Sequence, residues 1–194
     1  MFQYVVLLTI PLAIYGGGIY IIDIIAGKSK PNKVSWLMWS ANGLIAAAAG
    51  LSEGVTWAVL PVFMSGFVPL CVLAVSFFNK GSYWKLIAFD YICGFFSALA
   101  LILWWVTKEA DVAIIFAIIS DIFAAVPTLK KMWNNPETES AKSYVAGLIS
   151  SITGFAAIKN WVFSEYAYVV YLVIMESCLI ISIYRKKLYN KYIK

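Results

Sequence analysis

The sequence predicts an all-α integral membrane protein: seven transmembrane helices in a 3+1+3 layout, two parallel three-helix-bundle repeats joined by a linker helix. Three observations carry this expectation. Seven apolar segments follow one another along the chain, each about 18 to 24 residues long and so able to cross about 30 Å of hydrocarbon as a helix. Hydrophobic residues make up 62% of the 194, charged residues only 13%, and the mean hydropathy is +0.83. That is more apolar length than one water-soluble core of this size can hide. A shift of 108 residues superposes the first three segments on the last three without gaps, setting Ser35-Trp36 on Ser143-Tyr144, Asn42 on Ser150 and Ala48-Ala49 on Ala156-Ala157.

Each segment has its own justification. The first, 4–26, follows Met1-Phe2-Gln3, which lacks the positive region of a signal peptide, so this helix is expected to remain in the mature protein. Its Gly16-Gly17-Gly18 run weakens it, because each glycine costs about 1 kcal/mol relative to alanine in a helix interior. A basic loop, 27–33, leads to the second segment, 34–51, with Trp39 and Asn42; a short loop then leads to the third, 55–78. The fourth, 84–106, stands alone and reads as the linker that brings the second bundle into register. The fifth, 112–131, holds Asp121 and Pro127, and a second basic loop, 132–142, precedes the sixth, 143–161, with Ser150. The seventh, 166–184, holds Glu176. Corresponding segments are four helices apart, so the copies run parallel. The expected division is 1–82 and 109–187 for the repeats, 83–108 for the linker and 188–194 for a tail.

Thirteen of the fifteen lysines and arginines fall at one end of the segments, with only Lys108 and Lys159 at the other. By the positive-inside rule this places the N-terminus outside and the C-terminus in the cytosol of a cell membrane, a bacterial inner membrane being the expected one. The net charge of +5 is thereby a topology signal, and no nucleic-acid motif accompanies it. Trp36, Tyr83, Trp84, Trp133, Tyr144 and Tyr184 at the basic ends, with Trp57, Trp104, Trp105, Trp161 and Tyr166 at the others, read mostly as headgroup anchors. The partners to expect are the lipid bilayer and a small-molecule solute. A homo-oligomer is compatible with the sequence but not required by it, since a 3+1+3 chain already contains both halves of a pathway.

The layout, the outside N-terminus and the stretch Pro127-Thr128-Leu129-Lys130-Lys131-Met132-Trp133 resemble the SWEET and PQ-loop transporter superfamily. Asp121-x5-Pro127-Thr128-x2-Lys131-x-Trp133-x2-Pro136-Glu137, with Pro31-Asn32-Lys33-Val34-Ser35-Trp36, resembles a bacterial branch of it. In that superfamily a proline, often followed by glutamine, sits near the cytosolic end of the first helix of each repeat. Pro127-Thr128 takes that place in the second repeat, whereas the first repeat has Ile19-Tyr20 there. The resemblance implies a pocket lined by asparagine, serine and tryptophan from the second and third helices of each repeat. Asn42 and Ser150 match this on the second helices; on the third helices Ser65, Pro69, Glu176 and Ser177 stand where asparagines are expected.

The residues that carry chemistry are few. Asp121 and Glu176 lie about ten residues into their helices, roughly 15 Å of rise and close to the midplane. A central acid costs about 2.5 to 3.5 kcal/mol to insert and so faces a cavity or the bundle interior. With no lysine or arginine at that depth, burial favours the neutral acid, which makes both candidates for proton coupling or for binding a solute, and equally for a hydrogen bond that only fixes packing. Asp23 and Asp90 lie nearer the basic ends, where Lys28 and Lys85 can reach them. Asp121 shares a face with Ala124, Ala125 and Thr128, and the shifted positions are Ala13, Gly16, Gly17 and Tyr20, a small-residue stripe suited to close packing or to leaving room for a solute. The substrate-binding candidates are therefore Asn42, Ser150, Trp39, Asp121 and Glu176. Pro127 lacks the N–H that closes a helical turn and reads either as a hinge or as a helix end.

Enzyme chemistry finds no foothold: there is no histidine, no paired-cysteine metal motif, no phosphate loop and no serine elbow. Asp121 and Glu176 also lack the Gly-x-Gly-Asp context of an intramembrane aspartyl protease. Cys71, Cys93 and Cys178 sit in apolar segments as small packing residues. No cofactor or metal is expected. The function to expect is transport of a small polar solute by alternating access, with or without proton coupling; the alternative is a receptor or scaffold of the same fold that binds without translocating.

Overall fold

The computed structural model describes residues 2–78, 84–107 and 109–192. Among these the chain is all-helical, with seven α-helices: α1 (Thr9–Ile25), α2 (Lys33–Ser52), α3 (Val59–Phe78), α4 (Ala88–Thr107), α5 (Ala110–Asn134), α6 (Ala141–Thr153) and α7 (Phe163–Tyr192). Lys80, Tyr83, Lys108 and Lys194, and with them the expected boundaries at residues 82–83 and 108, lie outside the described residues, as do the side chains of Trp104, Lys186, Lys187 and Lys191. Five stretches are long and apolar enough to cross a membrane by length and composition: Tyr4–Ile25, Lys33–Ser52, Val59–Phe78, Asp111–Asn134 and Phe163–Arg185. The outer surface of the bundle is studded with large apolar side chains such as Ile14, Ile22, Phe78, Phe95, Ile174 and Ile181, far more than a water-facing surface carries. The chain is consistent with a multi-pass membrane protein.

Local chemistry explains where the helices start and stop. Phe2–Leu8 is a 3-10 stretch that becomes α-helical at Thr9, two residues before Pro11, whose missing N–H costs no helical bond in the first turn. α1 ends where Gly27 takes φ +74, a left-handed conformation that costs glycine nothing. Asn32 caps α2, its Oδ1 accepting from the Val34 and Ser35 N–H at 3.1 and 3.4 Å. At the start of α4, Asp90 accepts the Ile87 N–H at 2.7 Å, the reciprocal half of a capping box. α5 runs straight through Pro127 to Asn134, so this proline does not end the helix. α7 continues past residue 187, where the tail was expected to begin, to Tyr192.

The sixth segment departs from expectation. α6 stops at Thr153 and the chain passes through a 3-10 turn, Gly154–Ala157, into an extended loop, so the helix is shorter than the apolar run 143–161. The Thr153 hydroxyl bonds back to the Ser150 carbonyl at 2.6 Å, which competes with the helical ladder, and Gly154 follows it. A Cβ at residue 154 would stand 3.0 Å from Val169 and 3.1 Å from Pro61, so the turn is pressed against α7 and α3.

The helices pack as a ring. α3 lies against both α1 and α2, α7 lies against both α5 and α6, and the two triplets meet along α2–α5 and α1–α6, giving the order α1-α3-α2-α5-α7-α6 and back to α1. α4 packs against α5 and α2. Glycines set the closest seams: a Cβ at Gly43 would fall 2.5 Å from the Gly66 nitrogen, and one at Gly16 would fall 2.9 Å from Ala146 Cβ.

Candidate functional site: a cavity inside the helix ring

Within the ring lies a cavity of about 110 Å³, and all six ring helices line it. α1 contributes Ala13, Gly16 and Gly17, α2 Trp36 and Trp39, α3 Met64 and Ser65, α5 Asp121, α6 Ser143, Gly147 and Ser150, and α7 Tyr168, Leu172 and Glu176. The two carboxylates therefore face one space. Neither lysine nor arginine borders it among the described residues.

Asp121 is held by a chain of hydrogen bonds that crosses four helices. Asn42 Nδ2 donates to its Oδ1 at 3.1 Å and the Tyr171 hydroxyl donates to its Oδ2 at 2.5 Å. Behind it, Ser120 donates to Asn42 Oδ1 at 2.6 Å, and Ser97 of α4 meets Ser120 at 2.7 Å. Every polar atom of the Asn42 head is thus engaged by α5, as a buried amide requires. Glu176 is treated differently. Its Oε2 is buried with no hydrogen-bond partner, and its carboxyl lies against Gly147, where a Cβ would stand 2.6 Å from Oε1. The Trp39 indole, only 8% exposed, has an unpartnered Nε1 and packs edge-on to Trp36 at 5.3 Å.

Towards the basic end lies a second polar cluster, which meets the cavity at Tyr144. Lys131 forms a fully buried ion pair with Glu139, and the Tyr20 and Tyr144 hydroxyls both donate to Glu139 Oε2, at 2.6 and 3.0 Å. Lys131 also donates to the Lys30 carbonyl and lies 5.2 Å from the Trp84 ring centroid. Tyr20 and Ile24 are completely buried there, with Met132 packed in the same cluster. Ser140 donates to Asp23 at 2.7 Å, Asn32 to Asp90 at 2.9 Å, and Thr128 to Ser35 at 2.8 Å. Asp23 and Asp90 are thus met by neutral donors, not by Lys28 and Lys85. At the opposite end Thr9 bonds Thr153 at 2.6 Å and Val6, Val55, Ala58 and Ala157 form a small apolar cluster.

Of the residues singled out by sequence, Trp39, Asp121, Ser150 and Glu176 border the cavity, and Asn42 does not. Asn42 stands behind the wall, fully buried, because the close α2–α5 seam turns its amide onto Ser120 and Asp121. The Ser150 hydroxyl leans on the Thr9 carbonyl at 3.4 Å. Pro127 lies on α5 between Asp121 and Lys131, joining the two polar clusters along one helix. Trp36 and Tyr144, expected as headgroup anchors, are core residues at 4% and 5% exposure, while Trp57, Trp105, Trp133 and Trp161 are exposed. In the small-residue stripe Gly16 and Gly17 pack closely on α6 and α3, and both also border the cavity. The three cysteines are free. Among the described residues no group of three or more acidic, cysteine or histidine side chains could hold a metal ion.

Sequence reasoning missed Glu139, Tyr20, Tyr171 and the structural part of Lys131. Glu139 offered little signal, one of two acids, with Glu137, in the loop 132–142; Tyr171 offered none. Comparison of the chain with protein-family models, with curated proteins and with solved structures finds no match.

Proposed function

We propose that this protein is a seven-helix membrane transporter of a small polar solute, built as two parallel three-helix repeats joined by α4 and working by alternating access about the central cavity. The observation that carries the reading is the cavity itself, which among the described residues takes side chains from all six ring helices and none from α4. The 108-residue shift supports it further. It carries α1, α2 and α3 onto α5, α6 and α7, so the contact of α1 with α3 corresponds to α5 with α7, and the α2–α5 seam to the α6–α1 seam. Parallel repeats with a midplane site between them are an established transporter plan, and the sequence resemblance to the SWEET and PQ-loop superfamily points the same way. With the basic end in the cytosol, the Lys131–Glu139 cluster is the cytosolic closure, and Pro127 is the hinge through which the end of α5 moves. Asp121 and Glu176 are the groups that would carry a coupled proton.

A cavity of about 110 Å³ is small beside the 300–1,000 Å³ of drug-sized ligand sites, so the solute is a small metabolite. Thermal-shift screening of a solute library on the purified chain, followed by counterflow of each hit in proteoliposomes, tests the reading. Saturable counterflow is the expected result. Hits that stabilise the protein without any counterflow would replace transport by a receptor or scaffold role.

A further inference from the structure

Resting on the reading of the cavity as a solute site, we propose that its solute is a small organic cation of the amine or amino-alcohol class, bound by Glu176 and Asp121 and enclosed by aromatic rings. Charge is the first argument. Two carboxylates border the space, among the described residues no basic side chain does, and Lys131 of α5 is already engaged by Glu139, the Lys30 carbonyl and the Trp84 ring. A buried acid is either neutral or met by a positive partner, and among the described residues no basic side chain borders the cavity to be that partner, which leaves the place to a cationic solute.

The two carboxylates are also prepared differently. Asp121 already accepts from Asn42 and Tyr171, one donor on each oxygen, which holds its carboxyl in place. Glu176 has a buried oxygen without a donor, and Gly147 supplies the space its carboxyl occupies. A residue with a Cβ at 147 would displace that carboxyl. The unmet acceptor is therefore built into the site, and an ammonium N–H or the polarised methyls of a quaternary ammonium satisfy it.

The walls suit the same solute. Trp36, Trp39, Tyr144 and Tyr168 border the cavity, and ring faces attract ammonium groups in dry surroundings. Trp39 borders the same space, is more than nine-tenths buried and has an unpartnered Nε1, a donor that fits a hydroxyl or carbonyl oxygen at the other end of the molecule. A donor for the acid, an acceptor for the indole and a short span between them describe an amino alcohol more closely than a neutral polyol, which leaves two acids unneutralised.

The test uses the full-length chain in detergent, titrated with choline and with ethanolamine by calorimetry, against 3,3-dimethyl-1-butanol as the neutral isostere of choline. Saturable binding of at least one cation is expected, with the neutral isostere weaker by about tenfold or more. Glu176→Gln should lose about tenfold in cation affinity, and Trp39→Phe, which removes the indole N–H and weakens the ring's attraction for a cation, should weaken choline more than tetramethylammonium, which has no hydroxyl. Equal binding of the neutral isostere, or no saturable binding of either cation, overturns the proposal; the isostere comparison needs no variant and stands even if Glu176→Gln fails to fold. Counterflow separates this proposal from the transport reading. Cation binding without flux keeps the cation site and removes transport, whereas flux of a neutral solute with no cation binding keeps transport and removes the cation site.

Discussion

At the scale of single residues, the structure turns on how Asp121 is satisfied. Asn42 is its clamp, since the same amide receives Ser120 and donates to the acid. Asn42→Ala leaves Asp121 and Ser120 each short of a partner, and a loss of about 1 to 2 kcal/mol in unfolding free energy is expected, at the upper end of what interhelical hydrogen bonds contribute in membranes. Reversible unfolding in mixed micelles measures it. Asp121→Asn keeps the shape, exchanges one acceptor oxygen for an amide N–H that the Tyr171 hydroxyl oxygen can accept, and removes the exchangeable proton. If the protein is proton-coupled, uptake driven by an imposed proton gradient should vanish in this variant while solute counterflow survives; gradient-driven uptake at the wild-type level would sink the coupling idea. The groups facing Asp121 that could complicate the result are Tyr171, which donates to it, and Glu176 and Tyr168, which share its cavity.

At the scale of helices, glycine decides the contacts. Gly66 presses on α2, where a Cβ would come within 2.6 Å of the Leu44 nitrogen and 2.9 Å of the Ser40 carbonyl oxygen. These are backbone atoms that cannot rotate away. Gly66→Ala should therefore destabilise by about 1 to 3 kcal/mol through overpacking. Gly18 is the opposite case, with nothing within 4 Å of its added Cβ, and Gly18→Ala should stabilise α1 by about 0.5 to 1 kcal/mol. Thermal unfolding of the two variants side by side checks both signs. The glycine triplet was visible in the sequence, but the difference between Gly16, Gly17 and Gly18 was not, because it depends on which way each faces in the ring. Pro127 sits inside a continuous helix, so the missing N–H loosens α5 without ending it. Pro127→Ala should slow solute exchange while leaving affinity near wild type, read by counterflow kinetics beside equilibrium binding.

At the scale of the whole molecule, the Lys131–Glu139 pair ties α5 to the loop before α6, and Tyr20 of α1 closes on the same carboxylate. Removing one member of a buried pair strands the other, so Lys131→Met should cost about 3 to 5 kcal/mol. Lys131→Met combined with Glu139→Gln removes both charges but leaves the two tyrosines an acceptor, and most of the stability should return. A double-mutant cycle by thermal unfolding gives the coupling. In transport terms the double variant should open the basic end, seen as faster labelling of a cysteine placed at Ser143, which borders the cavity and lies outside the cluster.

The sequence by itself determined the helical, membrane-type character of the chain, the seven apolar segments and the gathering of basic residues at one end, because hydropathy, length and loop charge are written locally. It also exposed Asp121 and Glu176, since an acid in an apolar run is conspicuous wherever it points. Only the tertiary structure decided the partners. Asn42 finds Asp121 across 79 residues and Tyr20 finds Glu139 across 119, and neither meeting is encoded in any nearby pattern. Trp36 and Tyr144 look like interfacial anchors until the ring closes and buries them beside the cavity. The reason is physical: a helix face has no meaning until a neighbour covers it, and the close seams that aim these side chains are set by the packing of α2 on α5 and α1 on α6.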